Sequence, residues 1–147
     1  MDLKTTLQTD LKDAMRKGEE TRKSTIRMAL TGIQIAEAEK GTQLDDAAYM
    51  AIIQKEIKSR RESIDDARRA NRPDLITQSE AEIKILQAYL PPALTPEELD
   101  VLVKAAIAEA GATSIREMGQ VMKILTPQLQ GRATNSEASQ AVKRLLQ

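Results

Sequence analysis

The sequence predicts an all-α protein in two modules, an N-terminal helical bundle of about four helices followed by a three-helix C-terminal tail. Three observations predict it. Ala, Leu, Ile, Gln, Glu, Lys and Arg dominate the chain, and most of these are good helix formers. Phe and Trp are absent and Tyr49 and Tyr89 are the only aromatic residues, so the core must be aliphatic, and β-branched residues seldom string together as a strand requires. Apolar residues recur at three- and four-residue steps, in segments that stop at glycine or proline. At 147 residues the chain suits one domain or two small ones, with length enough for a modest core.

The first helix is expected from residue 2 to about 17, with Leu3, Leu7, Leu11 and Met15 at four-residue spacing and Gly18 as its stop. A second, over about 20–40, carries Ile26, Ala29, Leu30, Ile33 and Ala36 as its main stripe and closes at Gly41. Met28 and Ile35 lie on its other side, which suggests a helix sandwiched between neighbours. The third, over about 45–69, presents Tyr49, Ile53, Ile57, Ile64 and Ala67 on one face. Arg72-Pro73 breaks the pattern, because proline disfavours helical geometry in the residue before it. The fourth runs to about residue 90 with Ile76, Ile83, Leu86 and Leu90 in register, and Pro91-Pro92 ends it. That proline pair is the predicted boundary between an N-terminal module over 1–91 and a tail over 94–147.

Three start signals then organise the tail. Thr95-Pro96-Glu97-Glu98, Ser114-Ile115-Arg116-Glu117 and Thr134-Asn135-Ser136-Glu137 each place a hydroxyl three residues before a glutamate, the spacing of a capping box. The helix after Thr95 buries Leu99, Leu102, Val103, Ala106 and Ile107 and stops at Gly111. The next carries Met118, Val121, Met122 and Leu125 before Pro127 ends or kinks it, and the last carries Ala138, Ala141, Val142 and Leu145.

Function is bounded first by what the residues lack. Lys plus Arg equals Asp plus Glu, so the balanced charge weighs against avid, unspecific nucleic-acid binding, although a local basic face is compatible with it. There is no histidine, the commonest general base and metal ligand, and no cysteine for thiolate chemistry. The glycines are scattered and form no phosphate-cradling loop. None of Ser24, Ser59, Ser63, Ser79, Ser114, Ser136 or Ser139 sits in a setting that suggests an activating base. No catalytic site, metal or cofactor is therefore expected, with a carboxylate pair left as the one enzymatic alternative. No apolar run nears the roughly 18 residues of a membrane span, and the N-terminus lacks a signal-peptide core, so a cytoplasmic protein with no membrane partner is expected.

Two charge patterns are left. Arg60 falls among Ile53, Ile57 and Ile64 at helical phase, Glu56 precedes it by four residues, and Glu37 continues the line of Ile26, Leu30 and Ile33. These three suggest either an ion pair at the edge of the core or a polar pocket. Lys58, Arg61, Arg68, Arg69 and Arg72 form a basic face opposite the third helix's apolar stripe, and Lys123, Arg132, Lys143 and Arg144 collect in the tail. Each set is either an ordinary solvated face or a phosphate contact. Aromatic stacking platforms for single strands are absent, whereas a structured RNA read by shape is compatible.

Arg60-Arg61-Glu62-Ser63, Arg72-Pro73-Asp74-Leu75 and the run from Glu82-Ile83 through Leu86 to Tyr89-Leu90-Pro91 resemble the first module of the GatB/YqeY family. Met118-Gly119-Gln120-Val121-Met122, then Leu125, Pro127 and Gly131-Arg132-Ala133, are similar to the signature of its second. The chain departs from that signature at Lys123, where glycine is common, and at Ala133-Thr134-Asn135, where Ala-Asp-Gly is common. Asn135 is expected to tolerate the left-handed turn that glycine would make there. The match covers essentially the whole chain, as in a stand-alone YqeY-like protein. The resemblance implies kinship with the tail of the GatB component of tRNA-dependent amidotransferase, a tRNA-binding unit whose chemistry is done on other domains. It implies an accessory tRNA-binding protein that holds phosphates with Lys123, Arg132, Lys143, Arg144 and the backbone at Thr134. The rival is an adaptor that docks on an aminoacyl-tRNA synthetase or amidotransferase, and a carbon–nitrogen ligase or amidase is a third reading.

Overall fold

The computed structural model describes residues 2–147, and every regular element among them is helical. The chain divides into two compact units at Leu90 and Pro91.

The first unit holds α1 (Leu3–Lys17), α2 (Glu20–Lys40), α3 (Asp46–Arg69) and α4 (Pro73–Gln87). Asp2 caps α1 by accepting the Thr5 N–H at 2.7 Å, and Gly18, left-handed at φ 69°, closes it. Leu7 and Ala14 are its buried residues, and Met15 is exposed, against the four-residue spacing read from the sequence. Each four-residue step overshoots a full turn by about 40°, so three steps carry Met15 off the face while Ala14 returns to it. Thr25, Ile26, Ala29, Leu30 and Ile33 are the buried side of α2. Met28 and Ile35 are exposed, so the expected two-sided burial of α2 does not occur. That second side meets solvent, although α1, α3 and α4 all share contact with the helix.

Tyr49, Ile53, Ile57, Arg60, Ile64 and Ala67 are the buried side of α3, and Leu86 is the buried residue of α4. Asn71, left-handed at φ 55°, turns the chain between them ahead of Pro73. Regular α4 stops three residues short of the predicted end. Tyr89 and Leu90 continue as tight turns whose N–H groups donate to Leu86 and Gln87 carbonyls, since Pro91 disfavours helical geometry at Leu90.

The second unit holds α5 (Pro96–Ala110), a 3₁₀ turn (Ile115–Glu117), α6 (Met118–Leu129) and α7 (Asn135–Leu146). Its aliphatic core is built by Leu99, Val103 and Ala106 of α5, Val121, Leu125 and Leu129 of α6, and Ala138, Ala141 and Val142 of α7. One of the three expected capping boxes is complete. Thr134 accepts the Glu137 N–H at 3.1 Å and Glu137 accepts the Thr134 N–H at 3.3 Å. Thr95 caps α5, but the Glu98 carboxylate pairs with Arg132 instead of reaching back. Ser114 makes no side-chain cap, because Glu117 turns to the N–H and hydroxyl of Thr113. Pro127 neither ends α6 nor stands at its end. Three residues later Gln130 and Gly131 supply the left-handed turn, and Asn135 is the first helical residue of α7, not a turn residue.

Candidate nucleic-acid interface

The tail cations fall into two kinds. Arg132, in the loop between α6 and α7, is a fastener: its Nε donates to the Pro92 carbonyl at 2.9 Å, its guanidinium pairs with Glu98 at 3.3 Å, and its own carbonyl accepts the Leu94 N–H at 2.8 Å. Arg144, in the last turn of α7, pairs with Asp100 of α5. Both link segments within the unit. Lys123 on α6 and Lys143 on α7 are exposed and have no ion-pair partner among the described residues. Arg116, which no sequence pattern singled out, is equally exposed on the 3₁₀ turn and without an ion pair among the described residues. Its signal was available, seven residues before Lys123 and so near the same phase. At Thr134 the hydroxyl and N–H are both engaged in the capping box with Glu137.

In the first unit the basic face is largely self-neutralised. Arg68 pairs with Asp65 at 3.6 Å, Arg69 with Asp66 at 2.7 Å and Arg72 with Asp74 at 2.9 Å. Lys58 and Arg61 are its exposed residues without an ion pair among the described residues.

Arg60 is 6% exposed, and two carboxylates compensate it. Its Nη1 donates to Glu56 at 2.7 Å, and its Nε donates at 2.7 Å to Glu82 of α4, a partner the sequence pattern did not indicate. Nη1 also reaches the Glu56 carbonyl at 3.1 Å, and Nη2 lies 3.4 Å from the Met28 sulfur. Glu37 belongs elsewhere. It accepts from Lys4 at 2.7 Å and from the Tyr49 hydroxyl at 2.9 Å, which together hold its carboxyl below the usual range. A third cluster has no counterpart in the sequence patterns. Arg22 bridges Asp13 and Glu19, and the Tyr89 hydroxyl donates to Asp10. Arg22, Lys17 and Arg16 hold Asp13 far below the ordinary carboxylate value, while burial and Asp10 push the Tyr89 phenol up.

Carboxylates held ionised by cations suit ion pairing and are poor proton acceptors. Among the described residues, no buried side-chain polar atom lacks a hydrogen-bond partner, and no acidic group has a metal-holding arrangement. A groove of about 570 Å³ beside Glu19, Arg22, Ala81, Lys84 and Ile85, and a cleft of about 190 Å³ beside Leu3, Asp46, Met50 and Tyr89, are both open, and Arg60 lines neither. At Arg60 the structure has an ion cluster with Glu56 and Glu82, while Glu37 lies outside it with Lys4 and Tyr49.

Fold and polar groups together define an all-helical protein of two small units, its inner charges committed to structure and a few tail cations left facing solvent. The family model described as Yqey-like protein matches residues 4–146, and the chain belongs to that family. Altered inheritance of mitochondria protein 41, mitochondrial, of Pyrenophora tritici-repentis is 37% identical over 133 residues, 89% of this chain and 73% of the relative. The protein of the same name from Vanderwaltozyma polyspora is 38% identical over 101 residues, 67% of this chain and 55% of its own. An uncharacterized protein of Schizosaccharomyces pombe is 28% identical over 89 residues, 60% of this chain and 72% of its own. Among the described residues, no helix is long and apolar enough to cross a membrane.

Proposed function

We propose that the chain is an accessory tRNA-binding protein, related to the tail of the amidotransferase component GatB, which acts by surface recognition without a catalytic site of its own. The observation that carries the reading is the division of the tail cations. Arg132 and Arg144 are tied into the fold, whereas Lys123 and Lys143 project from helical faces with no carboxylate paired to them among the described residues. Uncompensated lysines on a rigid, neutral unit can neutralise a few phosphates and give weak, salt-sensitive binding of a structured RNA. Such work belongs where proteins are made. The sequence suggests the cytoplasm, while the curated fungal relatives carry the word mitochondrial in their names.

The test is titration of labelled total tRNA with the full chain and two double variants. Lys123→Ala/Lys143→Ala weakens binding, and Lys58→Ala/Arg61→Ala has the smaller effect. The opposite ranking places the contact on the first unit.

The adaptor reading has its own observation. The second unit carries as many carboxylates as cations, Arg132 and Arg144 are paired with Glu98 and Asp100, and Val101 and Ile115 stand exposed on it. A neutral surface with isolated apolar residues suits a protein partner such as a synthetase or amidotransferase. If tRNA fails to bind at low salt while either enzyme is retained by the immobilised chain, the adaptor reading replaces the first.

A further inference from the structure

Gly119 is the glycine that the fold does not explain. Gly18, Gly41, Gly111 and Gly131 adopt the left-handed geometry that favours glycine, and each lies at or just beyond a helix end. Gly32 lies within α2 where a Cβ would meet the Ile52 Cγ2 at 3.2 Å, so close helix packing accounts for it. Gly119 has neither reason. It sits in α6 outside the left-handed region, and a Cβ placed there would meet nothing within 4 Å. Glycine within a helix is less stable than alanine, and here no packing within the unit offsets the cost.

Its neighbours give the position a chemistry. Arg116, on the 3₁₀ turn, precedes Gly119 by three residues, and Lys123 of α6 follows it by four, one helical turn on, so the two cations flank it along the chain. Both are exposed and without an ion pair among the described residues, and Gln120 lies exposed between them. The nearest carboxylate in sequence, Glu117, is turned away to the N–H and hydroxyl of Thr113. A smooth spot between two uncompensated cations matches an anionic polymer that must come close to the helix backbone. A protein partner would rather draw on the exposed Ile115 nearby.

We propose that the surface formed by Arg116 of the 3₁₀ turn and by Gly119, Gln120 and Lys123 of α6 is where the sugar–phosphate backbone of a folded RNA lies against the protein, with Arg116 and Lys123 on phosphates and the missing side chain at Gly119 admitting the ribose between them. It rests on the RNA reading and deepens it. Glycine allows a ligand this close, and the shallow minor groove of A-form RNA presents riboses and phosphates to such a surface.

The experiment uses the full chain with labelled total tRNA at low salt, and each variant is also melted. Gly119→Ala leaves Tm unchanged or raises it by a few degrees, yet weakens binding about threefold, and Gly119→Leu weakens it about tenfold or more. Neither changes the dependence of affinity on salt, because no charge is lost. Arg116→Ala and Lys123→Ala each flatten the log–log salt slope by about 0.7 to 0.9. Ile115→Ser changes neither affinity nor slope. Wild-type affinity in both glycine variants, with Lys123→Ala still weakening binding, overturns this inference and leaves the RNA reading standing. A lowered Tm in Gly119→Ala also overturns it, since the glycine would then serve the fold. Absence of tRNA binding by the wild-type chain overturns both.

Discussion

Replacing Glu82 by Ala removes one of the two carboxylates that compensate Arg60, and the structure sets the size of the effect. The Arg60 side chain is 7% exposed, and Glu82 accepts from its Nε at 2.7 Å while itself 19% exposed. A charge-assisted hydrogen bond contributes about 1.5–3 kcal/mol, and removing one partner of a fully buried pair costs about 3–5 kcal/mol. Glu56 stays behind at 2.7 Å to balance the charge, and water can reach the vacated site, so about 2 kcal/mol is expected for Glu82→Ala. Glu82→Gln keeps an acceptor for the guanidinium and costs about half as much. Losing Glu56 and Glu82 together strands the arginine, so the double variant should exceed the sum of the singles by at least about 0.5 kcal/mol. Both tyrosines lie in the first unit, so tyrosine fluorescence during urea unfolding reports on that unit specifically. A shift for Glu82→Ala within about 0.5 kcal/mol, the size of an ordinary surface change, would refute the reasoning, as would strict additivity of the two carboxylates.

Glu37 should give the first unit an acid-sensitive contribution. Lys4 and Tyr49 lower its folded pKa below the unfolded glutamate value of about 4.3, so its stabilisation is complete above that pH and is lost as pH falls through the folded value. Melting temperatures of the wild type and Glu37→Gln should differ at neutral pH, and the difference should shrink as pH falls below the unfolded glutamate value of about 4.3 and through the lower folded value. In the second unit, Thr134→Ala removes the hydroxyl that accepts the Glu137 N–H and should cost about 1 kcal/mol by circular dichroism in urea, with Thr134→Ser nearly neutral. A peptide spanning 91–147 carries its own aliphatic core and should be helical and melt cooperatively alone. A featureless circular dichroism spectrum would deny it independence.

Most helix ends were legible in the sequence because their causes are local. Gly18, Gly41 and Gly111 close α1, α2 and α5, and Thr95 and Thr134 open α5 and α7 through bonds within one turn. The faces were legible to within a phase error, which put Met15 in place of Ala14. Partners distant in the chain were not legible. Arg60 could be seen to need a carboxylate, but the pattern offered Glu56 and Glu37, whereas Glu82 approaches from α4, twenty-two residues away. The role of Arg132 was hidden for the same reason, since its acceptors Pro92 and Glu98 lie at the far end of the unit's sequence. Competition between equivalent acceptors also escapes a sequence pattern. Glu117 and Glu98 both stand at capping-box spacing, and each has a better donor within reach, Thr113 in one case and Arg132 in the other. Among the basic residues, sequence could place Arg68, Arg69 and Arg72 on one face but could not show that Asp65, Asp66 and Asp74 neutralise them.

The central claim is recognition of tRNA through uncompensated tail cations, and the affinity for total tRNA measured across a series of salt concentrations tests it most directly. Two or three neutralised phosphates predict a log–log slope of about −1.4 to −2.7, reduced by about 1.4 to 1.8 in Lys123→Ala/Lys143→Ala and little changed in Lys58→Ala/Arg61→Ala. A slope near zero, or no binding at the lowest salt, would contradict it.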